Sequence, residues 1–260
     1  MKTRVLSAFI MLPLMAVIYF GGLWLVAMCF IIGVLGVREF FKGFESLGIK
    51  PSFPIAFVSA VGLYMIFLFE GQTEWYLCWV FLSMLASLLY LFNIENRKLE
   101  DAMATVTGIF YVVYFSFHVV LVDNTGDASI LVWLIVLSAF GSDVCAYFTG
   151  MAIGRHKLCP KISPKKTIEG AVGGIVGSIL VSGIFGFYFA NEYFVHCLAI
   201  GAIGAVISQC GDLTASVFKR KMGIKDYGNL IPGHGGILDR FDSVLFTAPA
   251  IYYYIHLFII

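Results

Sequence analysis

Long stretches of apolar residues dominate the chain and are separated by short polar segments. The stretches do not alternate apolar with polar positions, and most approach the about 20 residues that a helix needs to cross a bilayer. Since only helices and closed barrels satisfy their backbone hydrogen bonds in lipid, this pattern predicts helices. We therefore expect an all-α, polytopic integral membrane protein with about nine transmembrane helices, near residues 5–20, 22–37, 53–69, 75–92, 103–122, 129–150, 169–189, 194–214 and 241–260.

The first two predicted spans belong to one apolar run, residues 5–37, which contains no charged side chain. A signal peptide has an apolar stretch of only about 7–15 residues, so this run is interpreted as retained membrane structure. We divide it at Gly21 and Gly22. Because each half is short, two full crossings and a hairpin that does not fully cross remain alternatives.

The basic residues indicate an orientation. With the N-terminus inside and nine alternating helices, all 17 Lys and Arg lie in or at the edges of the inner segments 1–4, 38–52, 93–102, 151–168 and 215–240. The outer turns contain only acidic charges, which is the pattern that the positive-inside rule describes. The short chain without targeting extensions favours a bacterial inner (plasma) membrane, with the polar loops facing the cytoplasm.

Composition narrows the class of protein. Apolar residues make up 60% of the chain and charged residues only 13%, which is more apolar surface than a soluble core of this length hides. The net charge of +1 gives no reason to expect a nucleic acid partner. The six cysteines form no CxxC pair, so neither a disulfide framework nor a zinc site is indicated.

Two inner segments, residues 151–168 and 215–240, are long, basic and rich in Gly, Pro, Ser and Thr. A connection between packed helices needs only about 2–8 residues, so these segments are expected to carry function. We divide the chain into N-terminal membrane helices (residues 1–122, about five helices without a motif) and C-terminal catalytic helices (residues 123–260) that carry both loops.

The first polar cluster begins with Asp143, which lies inside a predicted span. An acidic side chain at that depth normally faces a cavity or a partner. Downstream, Ser163-Pro164-Lys165-Lys166-Thr167 is interpreted as a loop that ends at a helix N-terminus, where the helix dipole and two lysines attract phosphate. The structural alternatives are a buried ion pair or a helix-kink hydrogen bond for Asp143, and a basic loop that faces lipid headgroups.

The second cluster is denser in charge. Asp212 ends the eighth predicted span, and Asp239 and Asp242 begin the ninth on roughly one helical face. If the two helix ends bring Asp212 and Asp239 together, their carboxylates with phosphate oxygens suit Mg²⁺. His234 lies in a glycine loop that lets the backbone approach a phosphate. The cations between the helices would balance phosphate charge: Lys219, Arg220, Lys221 and Lys225. A structural salt-bridge network is the alternative.

The clusters favour phosphoryl or nucleotidyl transfer. The sequence contains no GxxxxGK[ST] loop, no dinucleotide-binding GxGxxG after a strand and no legible Ser-His-acid triad.

The pattern Ser216-x-x-Lys219-Arg220, Lys225-Asp226-x-Gly228 and Pro232-x-His234-Gly235-Gly236-x-x-Asp239-Arg240-x-Asp242 resembles the signature of the phosphatidate cytidylyltransferases (CDP-diacylglycerol synthases). The region from Asp143 to Gly170 is similar to that family's upstream motif. The resemblance implies an enzyme that converts CTP and phosphatidic acid into CDP-diacylglycerol and pyrophosphate with Mg²⁺, in phospholipid biosynthesis.

The resemblance also implies residue roles. Asp212 and Asp239 would bind Mg²⁺, and the identity of a second cation is open. The catalytic set would be Asp143, Lys166, Lys219, Arg220, His234, Asp239 and Asp242. The substrate-binding set would be Ser163, Lys165, Thr167, Ser216, Lys225, Gly235, Gly236 and Arg240.

Other functions compete with this one. An archaeal ether-lipid cytidylyltransferase or a polyprenol kinase would share the chemistry but use another acceptor. A transporter would explain Asp143 and the glycines, but no inverted repeat is seen. A membrane scaffold would leave both long loops unexplained. CTP, phosphatidic acid and membrane lipids are the expected partners. Acyl-chain preference, CTP against dCTP, the cytosine contacts and a monomer against a homodimer stay open.

Overall fold

The computed structural model describes residues 15–230 and 235–260, and the described chain is almost entirely helical. Residues 15–20 are helical and precede Gly21, whereas the rest of the first predicted span lies outside the described residues. The helices are α1 Gly22–Glu45, α2 Phe53–Leu68, α3 Thr73–Leu89, α4 Leu99–Gly108, α5 Phe115–Asp123, α6 Val132–Ile153, α7 Ile168–Phe189, α8 Phe194–Lys221 and α9 Leu238–Phe258.

Six helical stretches of the described chain are long and apolar enough to cross a membrane: Gly22–Glu45, Thr73–Phe92, Leu99–Asp123, Gly126–Ile153, Ile168–Phe189 and Asn191–Lys221. Helix α2 is apolar but has only 16 residues. Helix α9 is not among the six, and its sequence is diluted by Asp239, Arg240, Asp242, three tyrosines and a histidine. The prediction of an all-α membrane protein is confirmed, whereas the count of about nine spans stays a prediction.

Two helices continue well beyond their predicted ends. Helix α1 reaches Glu45 rather than residue 37, and α8 reaches Lys221 rather than residue 214. The predicted ends marked where apolar residues stop, but nothing between Ala215 and Lys221 breaks a helix. Helix α8 ends at Lys221, and Gly223, two residues later, has a φ of 69°, the left-handed conformation common just after a helix. Ser216, Lys219 and Arg220 therefore lie on a helix, whereas the sequence analysis had placed them in the loop 215–240.

A short hairpin replaces the loop that was predicted over residues 151–168. Strand β1, Lys157–Cys159, pairs antiparallel with β2, Ser163–Thr167, so that Lys157 lies opposite Thr167 and Cys159 opposite Ser163. The register is irregular between the two pairs. Helix α7 follows β2 directly, which fixes the lysines of β2 close to the helix N-terminus.

The chain forms two compact units that do not follow chain order. Unit 1 contains the described residues up to Phe117 together with those of the segment Lys221–Arg240, and unit 2 contains His118–Arg220 with Phe241–Ile260. The glycine-rich segment 221–240 therefore groups with the N-terminal helices, in which the sequence showed no motif.

Unit 1 is held together largely by ring contacts between helices. Tyr64 of α2 packs against Phe117 with ring centroids 5.1 Å apart, and Phe40 of α1 packs against Tyr111 at 5.4 Å. Phe40 and Phe117 are fully buried. This packing fixes the C-terminal part of α1, which contacts the segment 221–240 within the same unit.

In unit 2, α6 and α7 approach so closely that glycine is required at the contact. A Cβ atom on Gly174 would lie 2.9 Å from the Ser142 carbonyl oxygen, and one on Gly170 would lie 2.8 Å from the Ala146 carbonyl oxygen. Small residues allow such contacts in membrane helices, where close van der Waals packing drives association. The contact fixes Asp143, which follows Ser142, relative to the hairpin that precedes α7.

We expect Gly174→Ala to destabilise the protein, because its methyl group would press on the α6 backbone. Overpacking of this kind costs about 1–3 kcal/mol. Thermal unfolding in detergent measures the change. Gly141→Ala is the matched control, because its Cβ would meet nothing closer than Val181 at 3.9 Å. Equal unfolding midpoints for the two variants would contradict the close contact.

Candidate active site

A cavity of about 390 Å³ lies in unit 2 between α6, the hairpin, the start of α7 and α8. Its apolar wall includes Tyr147, Met151 and Leu158. Its polar wall contains two lysines, two carboxylates, an amide and a hydroxyl: Asp143, Lys165, Lys166, Thr167, Gln209 and Asp212. Five of these six were site residues in the sequence analysis, and the fold brings them to one cavity.

Lys166 and Asp212 form an ion pair at this cavity. Lys166 is in β2 and Asp212 is in α8, and 26% of each side chain is exposed. The Ser216 hydroxyl, one turn further along α8, lies 3.4 Å from the other carboxylate oxygen of Asp212. Asp212 is therefore held by a cation and a hydroxyl, and both of those groups are also suited to bind phosphate oxygens.

A second charged pair lies deeper in unit 2. The Nζ atom of Lys219 is 3.9 Å from Oδ2 of Asp242, and the side chains are only 13% and 10% exposed. The Ser243 backbone N–H donates to Oδ1 of Asp242, at 2.9 Å, and the Ser243 hydroxyl lies 3.5 Å from Oδ2 of Asp143. A buried carboxylate needs such compensation, because desolvation of a lone charge is costly.

Thr167 joins the hairpin to α7 and caps that helix. Its Oγ1 accepts a hydrogen bond from the Gly170 N–H at 3.1 Å. Three glycines enclose the side chain, because a Cβ atom on Gly150, Gly154 or Gly170 would come within 2.9 Å of Oγ1. The predicted helix N-terminus next to Lys165 and Lys166 is therefore present, and the glycines hold it against the end of α6.

Gln209 was missed by the sequence analysis. Its amide N–H groups donate to the Ser142 hydroxyl at 3.2 Å and to the Ala171 carbonyl at 3.0 Å, so it connects α8 to α6 and α7. The available signal was an amide inside an apolar span, three residues before Asp212 and hence on a similar helical face.

Several predicted site residues of unit 2 lie outside the lining of this cavity. Arg220 donates from Nε to the Ile162 carbonyl at 3.3 Å, which joins the end of α8 to the hairpin turn. Ser163 lies in β2 opposite Cys159. Ser216, Lys219 and Asp242 are also outside the lining and belong to the two charged pairs described above.

In unit 1, Asp239 organises the segment that precedes α9. Its Oδ2 accepts hydrogen bonds from the Tyr227 N–H at 2.8 Å and the Gly236 N–H at 2.9 Å. Gly235 has a φ of 84°, and a Cβ there would lie 2.8 Å from the same oxygen. Lys225 is exposed and Arg240 is half-buried. The predicted role of His234 falls outside the described residues.

Glu39 of α1 was also missed, although it contacts this segment directly. Its Oε1 accepts from the Ile237 N–H at 3.1 Å and its Oε2 from the Leu238 N–H at 2.9 Å. The sequence signal was a charged residue at the end of a long apolar run. The neighbouring Arg38 and Lys42 made it resemble an ordinary membrane-flanking segment of mixed charge.

The carboxylates can be examined as possible ligands of a divalent cation. No group of three or more His, Cys, Asp or Glu among the described residues is arranged to hold a metal ion. Asp212 and Asp239 nevertheless supply the hard oxygen donors that Mg²⁺ prefers. Mg²⁺ commonly uses one or two carboxylates and takes its other ligands from waters and substrate phosphates, so the chemistry of each of these carboxylates fits an ion that binds together with a phosphate substrate.

Comparison with known proteins agrees with the sequence pattern. Residues 2–258 match the cytidylyltransferase family. The chain belongs to this family. The resemblance identified from the charged motifs is therefore confirmed, and membership of this family indicates a CTP-utilising nucleotidyltransferase.

Relatives of this cytidylyltransferase carry the name phosphatidate cytidylyltransferase. The protein from Synechocystis sp. is 32% identical over 97% of this chain and 95% of its own length. That from Staphylococcus haemolyticus is 34% identical over 96% of each chain. That from Rickettsia bellii is 45% identical over a shorter stretch, 46% of this chain and 57% of its own.

We expect Thr167→Val to weaken the start of α7, because valine keeps the shape but cannot accept the Gly170 N–H. Loss of a helix cap costs about 1 kcal/mol. Thr167→Ser retains the acceptor and is the matched control. Thermal unfolding in detergent should show a larger loss for valine than for serine, and the opposite order would contradict the capping role.

Proposed function

We propose that this cytidylyltransferase transfers CMP from CTP to phosphatidic acid, forming CDP-diacylglycerol and pyrophosphate for phospholipid biosynthesis. Relatives that cover nearly the whole chain are named phosphatidate cytidylyltransferase. The observation that carries the proposal is the cavity of a membrane protein in which Lys165 and Lys166 face carboxylates. Such a site suits the binding of a nucleotide next to the phosphate of a lipid.

The proposed reaction exchanges one phosphoanhydride for another. A phosphate oxygen of phosphatidic acid forms a bond to the α-phosphorus of CTP, and the bond from that phosphorus to the oxygen bridging the α- and β-phosphates breaks. Pyrophosphate leaves with that oxygen. Phosphatidic acid is already ionised near neutral pH, so no general base is needed. Catalysis therefore consists mostly of positioning and charge neutralisation.

Lys165 and Lys166 are proposed to bind phosphate oxygens, because both line the cavity beside the N-terminus of α7, where the helix dipole also attracts an anion. Lys219 and Arg220 would neutralise charge, and Ser163 and Ser216 would donate hydrogen bonds. The backbone at Gly235 and Gly236, together with the side chains of Lys225, His234 and Arg240, would complete the substrate contacts from the second motif.

Mg²⁺ is the proposed cation, with Asp212 and Asp239 as its ligands and Asp143 and Asp242 as additional acidic groups. When bound, it would neutralise part of the phosphate charge. Asp212 already pairs with Lys166, so a cation at Asp212 would release Lys166 for an anionic substrate. A second cation is neither required nor argued against by these residues.

The positive-inside pattern supports a site on the cytoplasmic face of a bacterial inner membrane. With nine crossings, which would include the short α2 and the polar-flanked α9, all of the basic segments would lie on the same side of the membrane. Membrane lipids would cover the exposed apolar side chains, and a homodimer would use the same surface.

The purified protein, incubated with CTP, phosphatidic acid and Mg²⁺ in mild detergent, is expected to release CDP-diacylglycerol and pyrophosphate in equal amounts. Chelation of the divalent cation should stop the reaction. Mass spectrometry of the lipid and a pyrophosphate assay measure both products. CDP with a phosphorylated lipid would instead identify a lipid kinase, and the absence of turnover with several acceptors would contradict the proposal.

Asp239→Asn is expected to abolish turnover while leaving membrane insertion intact, because it removes a charge but almost no volume. Asp127→Asn is the matched control, since Asp127 is an exposed carboxylate far from the motifs in sequence. Retained activity in Asp239→Asn would show that this carboxylate is not a metal ligand.

A further inference from the structure

Glu39 holds a position that packing alone does not explain. It follows the long apolar part of α1, next to Arg38, and its side chain is half-buried. An ionisable side chain near a membrane segment is costly unless it has partners. Its partners are the backbone N–H groups of Ile237 and Leu238, at 3.1 and 2.9 Å, and each carboxylate oxygen accepts one of them.

The segment that receives Glu39 is shaped to admit it. A Cβ atom on Gly228 would lie 2.5 Å from Oε1 of Glu39, and a Cβ on Gly236 would overlap the same carboxylate. Two glycines of the second motif are therefore needed for a carboxylate of the first helix to reach the backbone. Neither glycine has a positive φ, so close approach, and not backbone conformation, explains them.

Helix α1 also fixes the other end of the same segment. The Ser46 hydroxyl donates to the Met222 carbonyl at 2.6 Å, and a Cβ on Gly43 would lie 2.7 Å from the sulfur of Met222. Between these ends, the rings of Phe40 and Tyr227 pack with centroids 6.0 Å apart. The final turns of α1 thus hold the segment at its start, middle and end.

The contact of Glu39 is one residue away from the hydrogen bonds of Asp239. Gly236 donates its N–H to Oδ2 of Asp239, and the next two N–H groups point to Glu39. The backbone of residues 236–238 is therefore held between two carboxylates. A shift of this backbone would move the Asp239 side chain, because the Gly236 N–H donates a hydrogen bond to it.

We propose that Glu39 is a positioning residue, which fixes the backbone of residues 236–238 and thereby orients the Asp239 carboxylate for its substrate-bound cation. An ionised carboxylate suits the role because both of its oxygens are acceptors. Glutamine would turn an NH₂ group towards one of the two N–H donors and lose that hydrogen bond. The activity readout of this inference rests on the proposed function, whereas its structural readout does not.

The test compares the wild-type protein, Glu39→Gln and the matched control Glu45→Gln, an exposed glutamate in the last turn of the same helix. Hydrogen exchange measured by mass spectrometry on peptides spanning residues 235–245 reports the amides directly. For Glu39→Gln we expect exchange to be about tenfold faster at whichever of the Ile237 and Leu238 amides loses its acceptor, the effect of losing one charge-assisted hydrogen bond. Exchange elsewhere and the unfolding midpoint should stay close to wild type.

The second readout is the Mg²⁺ concentration that gives half-maximal turnover. Loss of a group that orients a metal ligand typically costs about 10–100-fold in metal affinity or activity. For Glu39→Gln we expect the half-maximal Mg²⁺ concentration to rise, or the turnover rate to fall, by about 10–100-fold. The KM for phosphatidic acid should not change. In Gly236→Ala, the added methyl group would press on the Glu39 carboxylate. This variant should show the same changes in amide exchange and Mg²⁺ dependence, so it replaces Glu39→Gln if that variant does not fold.

The outcomes separate two failures. An inactive wild-type protein would contradict the proposed function, and the exchange measurement would still decide whether Glu39 holds residues 236–238. If the wild-type protein is active, and Glu39→Gln has the same amide exchange and the same Mg²⁺ dependence as Glu45→Gln, the inference is overturned. A general loss of stability with unchanged Mg²⁺ dependence in the folded fraction would overturn it too, because it would show that Glu39 is merely structural.

Discussion

Close approach of a backbone to its neighbours, at positions where only glycine fits, is the constraint on which both units depend. In unit 2, Gly170 and Gly174 let α7 lie against the backbone of α6, which places the hairpin lysines beside the cavity. In unit 1, Gly236 lets the carboxylate of Glu39 reach two backbone N–H groups. Apolar burial gives helices little preference for one another in lipid, so such contacts, with their hydrogen bonds, decide which parts of the chain meet.

Two ion pairs of unit 2 are formed without a substrate. Lys166 pairs with Asp212, and the ammonium group of Lys219 lies 3.9 Å from the Asp242 carboxylate, so each of these buried or half-buried charges has an opposite charge nearby. In the proposed reaction, a phosphate bound to Lys166 would take the place of the Asp212 carboxylate, and a divalent cation bound to Asp212 would take the place of the Lys166 ammonium group. Neither partner of this pair would then be left without an opposite charge, which would suit a reaction between two polyanions.

The site residues are placed mainly by regular elements. Because α8 continues to Lys221, Asp212, Ser216 and Lys219 follow one another at intervals of four and three residues on one helical face. Lys165 and Lys166 lie in a strand that leads directly into a capped helix. Side chains on such elements are held more exactly than side chains on loops, and positioning is the main contribution that this chemistry asks of the protein.

The sequence by itself determined the all-α membrane architecture, because unalternating apolar runs permit only one way of satisfying the backbone in lipid. It also determined most of the charged residues that line the cavity, since Asp143 and Asp212 are costly within apolar spans and therefore conspicuous. It did not indicate the hairpin, the continuation of α8, or the partners of Glu39 and Gln209. Only the tertiary structure decided these, because a hydrogen bond between Glu39 and Leu238 joins positions 199 residues apart and leaves no periodic trace in either segment.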